Sequence, residues 1–109
     1  MKQRIVILGA GESGVGAAML AKKQGFDVFV SDMGTIAPKY MDMLVKFNVP
    51  FEAQQHTPDL ILNATEVIKS PGIPEKAPLI QQLKLQGTPV ISEIEFAKRY
   101  THAKTICIT

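Results

Sequence analysis

Short apolar runs alternate with longer amphipathic stretches along this chain, and the two periods are readily told apart. Ile5-Val6-Ile7-Leu8 is an unbroken apolar run rich in β-branched side chains, the pattern of a strand buried on both faces, so a central strand is predicted over 4–8. Residues 13–24 place Val15, Ala18 and Met19 on one helical face, and the small Ala17, Ala18 and Ala21 permit close approach to a sheet. Lys22 and Lys23 suit the C-terminal end of that helix, and Gly25 supplies its left-handed stop. A second strand is expected over 27–31, then a helix over 38–47 with Met41, Leu44 and Val45 at helical spacing and Asn48 at its end. A third strand, 49–53, contains Pro50, which has no backbone donor and therefore belongs at a sheet edge.

The second half continues the alternation. Thr57-Pro58 reads as an N-cap followed by proline at the first helical position, opening a short turn through Leu62. Glu66–Lys69 is the fourth strand, Leu79, Ile80 and Leu83 mark a helix closed by Gly87, and residues 89–91 form a short fifth strand. Ser92-Glu93-Ile94-Glu95 has the form of a capping box, opening a helix to about Tyr100, and residues 105–109 read as one more strand. The resulting fold class is α/β: a Rossmann-like, doubly wound, mainly parallel sheet of about five strands with helices on both faces.

Composition narrows the function classes. A chain of 109 residues, 46% hydrophobic and 20% charged, suits one globular domain, residues 1–109. Its net charge of +2 comes from scattered lysines, so no basic stripe points to nucleic acid. No apolar stretch is long enough for a membrane span or a signal peptide, and a monomeric cytoplasmic protein is expected. Cys107 stands alone and is expected to be a buried, inert thiol; no metal site is expected. His56 and His102 have no partner at recognisable spacing and are read as surface residues. A chain that finishes on a strand suggests a piece of a longer protein.

The candidate chemistry lies in the stretch Gly9-Ala10-Gly11-Glu12-Ser13-Gly14, between the first strand and the first helix. In a strand–GxGxxG–helix unit the first glycine makes the tight turn, the second lets backbone approach a phosphate, and the third permits close helix-to-strand packing. An anion would rest on unpaired N–H groups at the helix start, with Ser13 adding a hydroxyl and Glu12 turning its carboxylate away. Asp32 follows Gly14 by eighteen residues, where a nicotinamide-dependent enzyme bonds its ribose, although an aspartate before Met33-Gly34 also suits a simple turn. Lys69-Ser70-Pro71-Gly72-Ile73-Pro74 follows the fourth strand, which in a doubly wound sheet lies beside the first, so both loops face one ligand. Pro71 stiffens that turn and Gly72 can expose its N–H, though a generic turn uses the same pair. No catalytic residue is expected.

Taken in order, GAGESG, VSD, VIKSPGIP, SEIEFA and the terminal TICIT resemble the N-terminal domain of the Mur ligases of bacterial peptidoglycan synthesis, most nearly the members that add D-glutamate. The resemblance covers the whole chain, and SPGIP followed by SEIE carries more of it than the glycine loop. It implies a domain that binds UDP-N-acetylmuramoyl-L-alanine. Backbone at Glu12 and Ser13, within a substrate-binding loop that includes Gly11 and Gly14, would hold the diphosphate, Asp32 and Met33 the uridine, and Ser70, Pro71 and Gly72 would line the uracil side. It also implies that ATP, Mg and D-glutamate are handled by further domains, because this chain has no G-K-[ST] sequence and so no cofactor of its own. Met33-Gly34 departs from the polar or basic residues familiar in related ligases. Two readings compete: an NAD(P)-binding domain of an oxidoreductase, and a regulatory nucleotide sensor.

Overall fold

In the computed structural model the backbone is described for residues 3–108 and the side chains for residues 3–100. Five parallel strands, β1 (Arg4–Leu8), β2 (Asp27–Asp32), β3 (Phe51–Ala53), β4 (Glu66–Lys69) and β5 (Val90–Ser92), form one sheet in the order β3-β2-β1-β4-β5. The order reverses at β1, which pairs with β2 on one side and β4 on the other, Leu8 lying opposite both Ser31 and Lys69. A crevice at the carboxyl ends of β1 and β4 follows from that reversal, as in any doubly wound sheet.

The period of two in β1 divides the core. Ile5 and Ile7, with Val28, Val30 and Ile68, face one side, where α1 (Glu12–Lys23), α2 (Pro38–Lys46) and α5 (Glu93–Ile108) contribute Val15, Ala18, Ala21, Leu44 and Phe96. Val6 and Leu8, with Phe29 and Val67, face the other, under Ile61 of α3 (Pro58–Ile61) and Ile80 and Leu83 of α4 (Pro78–Leu85). Both faces are covered, which is why the strands read as continuous apolar runs instead of alternating ones.

Helix ends follow local chemistry. Gly25 and Gly87 take positive φ of 91° and 84°, and Asn48 takes 58°, each just beyond a helix as expected for the left-handed stop. Ser92 and Glu95 form the reciprocal capping box: the Glu95 N–H donates to Ser92 Oγ at 3.0 Å, and the Ser92 N–H donates to Glu95 Oε1 at 3.2 Å. Pro50 precedes the edge strand β3, and its carbonyl, the one backbone polar group it retains, accepts from the Val30 N–H at 3.1 Å.

Four expectations change. Residues 105–108 continue α5 instead of forming a strand; a helix satisfies its backbone within its own segment, whereas a strand must find a partner strand, and none of the five pairs with this stretch. Val45 is 64% exposed, because it lies about 100° around α2 from the buried Leu44 and past the narrow stripe that meets the sheet. Thr57 occupies the N-cap position of α3 but makes no side-chain cap, since its hydroxyl is taken by Glu52. α1 begins at Glu12 and ends at Lys23. The side chains of His102 and Cys107 lie outside the described residues.

The glycines of α1 are not equivalent. A Cβ at Gly14 would stand 1.9 Å from the Gly9 carbonyl oxygen, whereas one at Gly16 would meet nothing within 4 Å. Gly14→Ala is therefore expected to destabilise the chain by more than about 2 kcal/mol, and Gly16→Ala to stabilise it by roughly 0.5–1 kcal/mol through helix propensity. Urea unfolding of the two variants beside the wild type checks both signs.

Candidate functional site at the β1 and β4 tips

β1 is followed by Gly9, whose φ of 112° suits glycine and whose N–H donates to the Ser31 carbonyl at 2.8 Å. The chain there passes so close to the β4 tip that a Cβ on Gly9 would come within 2.8 Å of the Ser70 Cβ. Gly11 is the N-cap of α1, carries no capping side chain, and has open space where a side chain would stand. The first-turn N–H groups of Glu12, Ser13 and Gly14 lack intrahelical acceptors, as every helix start does, and Gly11 offers no oxygen in their place. A helix start left without a side-chain cap, beside open space, can take an anion.

The Ser70-Pro71-Gly72-Ile73 turn is closed by the Ile73 N–H donating to the Ser70 carbonyl at 3.0 Å, with Pro71 at the position that fixes φ. Lys69 Nζ donates to the Ile73 carbonyl at 2.8 Å and braces the turn from beneath. The Gly72 N–H reaches Ser70 Oγ only at 3.4 Å, and Gly72 is exposed, so its donor remains open to a ligand.

These two turns flank one cavity of about 560 Å³, lined by Gly9, Asp32, Met33, His56, Ser70 and Gly72 together with Ile73, Pro74 and Leu79. Of the residues expected at the site, Asp32, Met33, Ser70 and Gly72 thus share a pocket. Gly11, Glu12 and Gly14 belong to the adjoining helix start, with Glu12 exposed. Ser13 and Pro71 instead line a second hollow of about 420 Å³ between α1 and α5, and are not on the wall of the first.

Asp32 has structural duties. Its Oδ2 accepts from the Ala10 N–H at 2.7 Å and its Oδ1 from the Gly34 N–H at 2.8 Å, so it ties the β2 tip to the glycine loop and closes its own turn. Met33 next to it is 65% exposed at the cavity wall.

The reading of His56 as a surface residue is corrected. It is partly buried, lines the cavity, and its Nδ1 lies 2.6 Å from Ser31 Oγ. Ser31 is fully buried and donates toward Glu52 Oε2 at 2.7 Å, with the Gln55 carbonyl at 3.1 Å. Glu52 also accepts from the Thr57 N–H at 2.8 Å and the Thr57 hydroxyl at 2.5 Å. A lone histidine twenty-five residues from its serine gives no spacing signal; a serine directly after the apolar Val28-Phe29-Val30 run of β2 is the available hint that something polar meets it. Among the described residues no group of three or more His, Cys, Asp or Glu side chains could hold a metal ion, and no helix is long and apolar enough to cross a membrane.

With that geometry in place, comparison with known proteins is decisive. Residues 3–92 match the family model described as Mur ligase MurD-like, N-terminal domain. The chain belongs to this family. It is 68% identical over 107 residues to the UDP-N-acetylmuramoylalanine--D-glutamate ligase of Bacteroides thetaiotaomicron, covering 98% of this chain and 24% of that protein. It is 56% identical over 109 residues to the ligase of the same name from Porphyromonas gingivalis, covering 100% of this chain and 24% of the relative. The chain thus spans about a quarter of the length of these Mur ligases. Among solved structures, the UDP-N-acetylmuramate-alanine ligase of Thermotoga maritima superposes with a TM-score of 0.77 at 20% identity over 92% of this chain and 23% of its own. A pseudomurein peptide ligase type C from Methanothermus fervidus gives 0.75 at 24% identity over 91% and 20%. These two likenesses establish the Rossmann-like fold of the family.

The Ser31 hub makes stability depend on acidity. Burial lowers the His56 pKa from its usual 6.5, against the opposing pull of the Glu52 and Asp32 charges. Burial would raise the Glu52 carboxyl, but hydrogen bonds from Thr57 and Ser31 and the nearby His56 leave it below 4.5. For His56 the unfolded chain takes up a proton that the folded chain refuses, so its contribution is complete above the unfolded value and is lost as pH falls below it. The Glu52 contribution is present above the ordinary carboxylate value and is lost as pH falls through the lower folded one. The urea midpoint is therefore expected to drop in two stages as the pH falls, an upper one beginning near 6.5 from His56 and a lower one beginning near 4.5 from Glu52. His56→Gln should remove the upper stage and keep the lower.

Proposed function

We propose that this domain holds the uridine diphosphate portion of UDP-N-acetylmuramoyl-L-alanine, as the substrate-binding part of an ATP-dependent ligase that adds D-glutamate during peptidoglycan synthesis. The observation that carries the reading is the pairing of two glycine-containing turns, at the tips of the adjacent strands β1 and β4, around one cavity. Family membership and the names borne by the similar ligases support the same substrate class.

In this reading the diphosphate rests against the N–H groups of Glu12, Ser13 and Gly14, where the α1 dipole favours negative charge. The base enters the cavity between the Asp32–Met33 corner and the Ser70–Gly72 turn. The contribution to catalysis is positional: binding energy at the nucleotide, remote from the reacting carboxylate, reduces the entropic barrier to its activation. ATP and Mg fall to other parts of the ligase, because no G-K-[ST] sequence is present here to take a triphosphate. A cytoplasmic, monomeric protein accords with a nucleotide-activated substrate.

Titration of the chain with UDP and with NADH, followed by amide chemical shifts, tests the proposal. UDP is expected to saturate with a dissociation constant of roughly one millimolar or tighter, about 4 kcal/mol, moving signals from residues 9–14, 32–34 and 70–74. Saturation by NADH with no response to UDP overturns it. Gly11→Ala should unfold within about 0.5 kcal/mol of wild type, yet bind UDP roughly tenfold more weakly.

A further inference from the structure

His56 lines the cavity but is absent from the set of residues that motif spacing points to. The bonding around Ser31 determines which proton its ring carries. Ser31 Oγ has one hydrogen and three close neighbours: Glu52 Oε2 at 2.7 Å, the Gln55 carbonyl at 3.1 Å and His56 Nδ1 at 2.6 Å. The carboxylate and the carbonyl can only accept. If Ser31 donated to His56, its lone pairs would face a carboxylate oxygen at 2.7 Å with no proton between them. If His56 Nδ1–H donates to Ser31 and Ser31 donates to Glu52, both short contacts are attractive. The neutral ring is then the Nδ1–H tautomer, with a lone pair on Nε2.

That Nε2 has no partner among the described residues, and no buried side-chain nitrogen or oxygen among them lacks a bond, so Nε2 is open to solvent at the cavity wall. Burial favours the neutral ring, so the open atom is an acceptor. A diphosphate at neutral pH presents only acceptors and cannot pair with it; a nucleobase N–H can. The apolar lining beside it, Met33, Ile73, Pro74 and Leu79, suits the faces of a planar ring.

We propose that His56 reads the base: anchored through Nδ1 to the buried Ser31, it offers Nε2 as the acceptor for the imide N–H of a uracil ring in this cavity. The inference rests on the uridine diphosphate reading and adds to it a residue that selects a base bearing a donor at that edge. The Ser31–Glu52–Thr57 network holds the imidazole in orientation before any ligand arrives.

The test separates this role from a merely structural one. Asparagine places an N–H donor near the position of Nδ1 and has nothing at Nε2; glutamine places a polar atom near Nε2. UDP and N3-methyl-UDP, whose imide proton is replaced by a methyl group, are titrated against wild type, His56→Asn and His56→Gln, with the unfolding midpoint of each variant measured alongside. Wild type is expected to prefer UDP over N3-methyl-UDP by about tenfold. His56→Asn should lose most of that preference while unfolding near the wild-type midpoint, and His56→Gln should retain part of it. Equal preference in wild type and His56→Asn overturns the role of His56 and leaves the nucleotide reading intact. Failure of wild type to bind UDP at all overturns both.

Discussion

The backbone turns from β1 into α1 in so little space that a methyl group at Gly14 would stand 1.9 Å from the Gly9 carbonyl oxygen. That approach brings the helix start directly over the strand end, and a Cβ on Gly9 would in turn stand 2.8 Å from the Ser70 Cβ of the neighbouring tip. A side chain at either position would separate helix from strand or one tip from the other. With both absent, Gly9 at the end of β1 and Ser70 and Gly72 at the end of β4 line a common cavity, and the uncapped α1 start follows Gly9 within two residues. The pocket is thus a consequence of backbone packing more than of any reactive side chain.

Polar groups around this frame keep it in register. Asp32 connects the glycine loop to its own turn through two backbone N–H groups, and Lys69 braces the opposite turn. Ser31, fully buried, links β2 to Glu52 of β3 and to His56 beyond it. A buried hydroxyl without partners would cost roughly 1–3 kcal/mol; here it is the junction of a network in which every buried side-chain polar atom among the described residues is bonded. At the far end of the sheet Arg4 bonds Asn63, Asp27 and the Leu60 carbonyl, securing the amino ends of the strands away from the cavity.

Much of this was legible because it is encoded locally. The apolar run of β1, the glycines at 9, 11 and 14, the stops at Gly25, Asn48 and Gly87, and the capping box of Ser92 and Glu95 each act within a few residues of chain. The failures share the opposite property. Thr57 looked like a cap, but Glu52 of β3 took its hydroxyl; Val45 has the right spacing for a core face, but α2 turns only a narrow stripe inward. Residues 105–108 have strand-like composition, yet strand structure depends on a pairing partner that local sequence does not specify.

By itself, then, the sequence determined the alternation of strands and helices, the double winding, the phosphate-type loop and the resemblance that family comparison bears out, since period, turn chemistry and motif order are properties of the chain read in one dimension. Only the tertiary structure decided that Ser13 and Pro71 turn to a separate hollow while His56 joins Asp32, Met33, Ser70 and Gly72 around the cavity. The reason is physical: which side chains converge on a pocket depends on the order of strands in the sheet and on long-range hydrogen bonds such as that from His56 to Ser31, and neither leaves a periodic trace in the residues that make it.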